Sequence, residues 1–137
     1  IIPPFGLKST PGLMRTPGGF HSFEHRWALA DAFRFLRQIG LVRVEARTRE
    51  LATALKAKLR SLDRVRVLTP ESPDLSAGIV AFTVAGKEPV AVAKALRARD
   101  VVVSASAWGV PSIRATPSLL NTEADLDRLV EALREVL

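Results

Sequence analysis

From Ser22 onward the apolar residues repeatedly change their period, and this alternation constrains the fold more than any other property of the chain. In SFEHRWALADAFRFLRQIG, Phe23, Trp27, Ala30, Phe33 and Leu36 recur at helical spacing and Gly40 supplies a stop. Next, Val44, Leu51, Leu55, Leu59 and Leu62 mark one face of a charged segment, which predicts a long helix running to about Leu62. RVRVLTP alternates as a short strand. A turn follows at PESPD, and SAGIVAFTVAG reads as a buried strand ending at Gly86; the short link between the two predicts an antiparallel pair. Glu88 and Pro89 open a helix through Leu96, with proline in the first turn, where its missing amide is harmless. VVVSAS and SIRAT, the latter bounded by Pro111 and Pro117, supply a third and a fourth strand. In NTEADLDRLVEALREVL, Thr122 and Asp125 make a capping-box-like start, and Leu126, Leu129, Val130, Leu133 and Leu137 form a core stripe. The order helix, helix, strand, strand, helix, strand, strand, helix predicts an α+β domain: a small mixed, mainly antiparallel sheet with helices packed on one face.

Before Ser22, Pro3, Pro4, Pro11 and Pro17 stand among Gly6, Gly12, Gly18 and Gly19, a density that opposes regular structure. We therefore expect an extended loop over 1–21, a connecting helix over 22–40 and a compact domain over 41–137. The stripe of the first helix is bulky enough to imply a neighbouring domain or subunit as its partner. With 137 residues, 47% of them hydrophobic, the chain can bury a real core. It has no stretch of the roughly 18 apolar residues that a membrane span needs, and no basic-then-apolar start of signal-peptide type. A cytoplasmic protein without a membrane partner is expected. The absence of cysteine removes disulfides, thiolate nucleophiles and cysteine-ligated metals. A net charge of +6 raises the question of nucleic acid, but the basic residues are scattered among Glu45, Glu50 and Asp100. Stacking platforms are scarce, with six Phe, two Trp and no Tyr, so no nucleic-acid partner is expected.

One catalytic pattern is matched outright: His21-Ser22-Phe23-Glu24-His25 fits H-x-x-E-H, in which histidines four apart share a helix face and bind zinc while the glutamate acts as base. Both histidines of the chain are consumed by it, so a third ligand would have to be an unidentified carboxylate. A zinc hydrolase thus stands as one alternative and a basic nucleic-acid-binding module as the other, and no metal ligand is assigned.

The tail SIRATPSLLNTEADLDRLVEALREVL resembles the C-terminal domain of the class V aminotransferase family, pyridoxal-phosphate enzymes of fold type I. The resemblance is carried by an arginine on a short strand, a following proline, and an N-T-x-x-D-L-D run opening the final helix: Arg114, Pro117, Asn121, Thr122, Asp125, Leu126 and Asp127. RTPGGFHSFEHRWALADAF and DLSAGIVAFTVAG resemble the family's upstream segments, extending the similarity from about Arg15 to Leu137. It implies that residues 1–21 close a large domain, that 41–137 is the small domain, and that the active enzyme is a homodimer acting on an amino-acid-like substrate. It also implies a cofactor anchored on a lysine. Lys8, Lys56, Lys58, Lys87 and Lys94 do not lie in the family's lysine context, so the anchor is expected outside this chain, which is then a C-terminal part not competent alone. Matched to the family pattern, Thr16 donates to the cofactor phosphate and Arg114 binds the substrate α-carboxylate, a task suited to a guanidinium fork. No residue of the chain is expected to be catalytic. In cysteine desulfurases the loop between the last two strands carries a reactive cysteine, whereas here SASAWGVPSIR has none. The resemblance thus leaves transamination, epimerisation or elimination at Cα, and FHSFEHRW is closer to isopenicillin-N-epimerase-like members.

Overall fold

The computed structural model describes residues 23–107 and 109–137. The chain divides into two compact units between Ile39 and Gly40. In the first, α1 (Phe23–Ile39) follows the predicted periodicity and ends at Gly40, whose φ of 95° is open to glycine and strained for other residues. Three of its aromatic side chains stay exposed, Trp27 at 71%, Phe33 at 58% and Phe35 at 59%, while Leu36 and Ile39 are half-buried.

The second unit runs α2 (Leu41–Arg60), β1 (Val65–Val67), a single 3₁₀ turn (Pro73–Leu75), β2 (Val80–Val84), α3 (Pro89–Arg97), β3 (Ser104–Ser106), β4 (Ser112–Ala115) and α4 (Glu123–Val136). The strands form one four-stranded sheet in the order β1-β2-β4-β3. All three pairings are antiparallel, so the α+β class and the mainly antiparallel sheet are as expected, while the parallel pair of a mixed sheet is not found among the described residues. β1 and β2 make the predicted hairpin. The chain then crosses through α3 to β3, leaving a gap that β4 fills.

Helices cover one face because both periodicities point their apolar positions there. Leu51, Leu55 and Leu59 of α2 are fully buried with Leu96 of α3, Leu133 of α4 and the sheet residues Val80, Phe82 and Ile113. Each such side chain contributes about 1.5–3 kcal/mol relative to exposure, which accounts for a stable core in a unit this small. α2 lies on β1 and β2, α3 on β2, β3 and β4, and α4 packs against both helices. Gly78 marks the tightest approach: a Cβ there would stand 2.7 Å from Thr48 Cγ2, so the chain can pass under α2 into β2 only without a side chain.

Several boundaries differ from the sequence reading: β1 keeps only Val65–Val67 of RVRVLTP, and β2 ends at Val84, short of Gly86. Of VVVSAS only Ser104–Ser106 joins the ladder, because β4 is four residues long and pairs with the serine end. Val101 and Val103 still pack on the core. Helix α2 stops at Arg60, and Leu62, although buried, lies in the turn beyond it.

Candidate functional site

Side chains of directly paired residues project to the same face of a sheet, so the register assigns each strand residue to one side. Phe82 pairs with Val67 and Ile113, and Val80 with Ala115; these face the helices. The other set is Arg66 opposite Thr83, Arg114 opposite Ala81 and Ser104, and Ser106 opposite Ser112. Arg114 therefore stands on the helix-free face, on an inner strand, flanked by Ala81 and Ser104. Such small neighbours leave its guanidinium room to move. It is exposed, and among the described residues neither a carboxylate nor a carbonyl engages it. By contrast Arg47, Arg49, Arg60, Arg99 and Arg128 each face an acidic side chain within 4 Å.

The strand carrying Arg114 is fixed by the segment that follows it. The Ser118 amide donates to Asn121 Oδ1 at 3.0 Å, and the Asn121 amide returns to the Ser118 carbonyl at 2.9 Å, closing a tight turn. The Thr122 amide then donates to the Asp125 carboxylate at 2.7 Å and its hydroxyl to the same oxygen at 3.0 Å, starting α4. These bonds, first the amide and then the hydroxyl, hold the Asp125 carboxyl below its ordinary range. Lys58 of α2 pairs with Asp127, and this hydrogen bond is the main reason its ammonium is held above the usual lysine value. Asn121, Thr122, Asp125 and Asp127 thus carry the sequence pattern for structural reasons. They place β4 and α4, and Arg114 is the chemically free member of the set.

The described lysines are otherwise occupied or peripheral. Lys56, 1% exposed, donates to the carbonyls of Pro70 at 3.0 Å and Glu71 at 2.7 Å and to Ser76 Oγ at 2.9 Å, using all three of its donors. The sequence gives Lys56 no role beyond lying outside the family's lysine context. The missed signal is its position among Ala52, Leu55 and Leu59, where a core helix wants an apolar residue. Lys87 and Lys94 lie exposed on a turn and on α3. Thr16, Lys8 and His21 lie outside the described residues. His25 is exposed on the first turn of α1, and no three His, Cys, Asp or Glu side chains gather as a metal site among the described residues. A cavity of about 290 Å³ opens on the helix side, lined by Val101, Val103, Thr116, Asn121, Asp125 and Arg128 among others, and it does not include Arg114.

The pattern of the Aminotransferase class-V family matches residues 15–129. The chain belongs to this family. Within it, isopenicillin N epimerase from Streptomyces clavuligerus is 31% identical over 129 residues, covering 91% of this chain and 32% of that protein. A probable cysteine desulfurase from Staphylococcus epidermidis is 29% identical over 117 residues, covering 78% and 28%. The fold is that of the class-V enzymes as well: a cysteine desulfurase from Escherichia coli superposes with a TM-score of 0.72 at 21% identity, over 86% of this chain and 31% of that one. The class-V chain described here therefore spans under a third of the length of these relatives.

Proposed function

We propose that the chain is the carboxylate-recognising part of a pyridoxal-phosphate-dependent enzyme that acts at Cα of an amino-acid-like substrate. The observation that carries this is Arg114: a guanidinium on the helix-free face of the sheet, without an acceptor among the described residues and held on an inner strand by a capped helix. Its planar fork suits a carboxylate, which it can hold by two parallel bonds at any working pH. When bound, the cofactor supplies an electron sink for the pair left by a Cα proton. Arg114 fixes the substrate's carboxylate, and with it the direction in which the Cα–H bond points. Thr16 is proposed as a donor to the cofactor phosphate.

The described residues suit this recognition role and not cofactor anchorage. Lys56 is consumed by three acceptors and Lys58 by Asp127, Lys87 and Lys94 lie on a turn and on α3 and not on the strands that carry Arg114, and the anchoring lysine is proposed to lie outside this chain. Partner contributions are proposed in the form of a homodimer, and the cytoplasm as the location; among the described residues no helix is long and apolar enough to cross a membrane. Between branches, the cysteine-free sequence favours an epimerase-like, transaminating or eliminating enzyme over a desulfurase.

In the cofactor-loaded protein that contains this chain, Arg114→Ala is expected to leave cofactor absorbance nearly unchanged while kcat/KM falls at least ten- to a hundredfold. A charge-assisted hydrogen bond contributes about 1.5–3 kcal/mol, which sets that range. Arg114→Lys recovers only part, since an ammonium keeps the charge without the paired donors. Activity near wild type in Arg114→Ala would reduce the residue to a surface arginine and remove the proposal.

A further inference from the structure

We propose that Arg66 is a second anion contact on the face that carries Arg114, and that the preferred substrate is an amino acid whose side chain bears an acidic group. This rests on the reading of Arg114 above. Arg66 pairs with Thr83 and Arg114 with Ala81, two positions apart along β2, so the two arginines lie on the same side of the sheet, on strands separated by β2. Strand spacing and rise put their Cα atoms about 12 Å apart. Two long side chains leaning toward each other across β2 can close on a small molecule with an anion at each end.

Three features favour this over a coincidence of surface charge. Arg66, like Arg114, is exposed and engages no acceptor among the described residues. The helix-free face of the strands otherwise carries Ala81, Thr83, Ser104, Ser106 and Ser112, so no carboxylate there competes for either guanidinium. The floor between them is Ala81 and Thr83, short enough for a ligand to lie against the sheet. The charge complement of this face is an anion, and its two-point spacing selects a second acidic group.

Glutarate and valerate, which differ only in the second carboxylate, test this by calorimetric titration of the protein; glutamate and norvaline test it again through kcat/KM. Wild type is expected to prefer the diacid member of each pair at least tenfold. Arg66→Gln, an exposed substitution that leaves the fold intact, should abolish the preference by weakening the diacid while valerate binding stays unchanged. A preference that survives Arg66→Gln, or its absence in the wild type, overturns the proposal. Arg114→Gln should weaken both acids; if it affects neither while Arg66→Gln removes the preference, the Arg114 reading fails and the Arg66 contact stands.

Discussion

The ammonium of Lys56 sits where water does not reach and faces two carbonyls and a hydroxyl, with no carboxylate among the described residues to neutralise it. Its role is therefore geometric: three directed bonds pin the Pro70–Ser76 connection to α2. Arg49 adds a bond to the Pro73 carbonyl and Arg60 an ion pair to Glu71 at 3.8 Å. Replacing Lys56 by Met keeps the aliphatic stem and leaves three acceptors without donors. The expected cost is on the order of 2–4 kcal/mol, read as a fall in the urea midpoint at unchanged slope. A change below about 0.5 kcal/mol would mean that water replaces the ammonium without penalty. Arg114 was singled out in the sequence because its neighbours follow a family pattern, and the structure places it exposed on an inner strand. Lys56 was not, because a lysine on a helix ordinarily reads as solvent-facing, and only the contacts of its nitrogen tell otherwise.

Helix α4 shows how local chemistry becomes a property of an element. Asp125 is held below the ordinary carboxylate range, so its contribution to stability is complete above the unfolded value, about 3.9, and is lost as pH falls through the lower folded value. Asp125→Asn should therefore be less stable than wild type at neutral pH, with the difference shrinking in acid. Urea unfolding at a series of acidic pH values measures this, and a gap that stays constant would assign the effect to something other than the carboxylate. Lys58 has the opposite sign. Held above its ordinary value, chiefly by Asp127, it contributes fully below about pH 10.4, and that contribution is lost as pH rises through the higher folded value. The start of α4 could be read from Thr122 and Asp125 because a capping box is a short-range pattern. The end of α3, expected at Leu96 and found at Arg97, was placed to within one residue although the usual marker is missing. Asp100 takes the left-handed conformation there, with φ 59°, in a place where glycine is the usual marker.

On the scale of the whole molecule, the exposed aromatic side chains of α1 are the largest mismatch between what the sequence prepares and what the described residues cover. Trp27, Phe33 and Phe35 remain more than half exposed. The 137-residue chain on its own is expected to self-associate and to bind apolar dyes, and Trp27→Glu with Phe33→Glu should reduce both. Sedimentation showing a monomer at high concentration, without dye binding, would remove this reading. The overall architecture was legible from the alternation of periods, whereas the strand order was not, because nothing in SIRAT says that it pairs with both its predecessors. That order bears on how the chain emerges during synthesis. Two strands and a crossover helix are made before their shared neighbour exists, and β4, with the helix that seals the layer, comes from the last quarter of the sequence. A nascent chain halted before Ser112 holds the β1–β2 hairpin with one raw edge and a β3 strand without its partner, and should stay open to protease until β4 and α4 arrive.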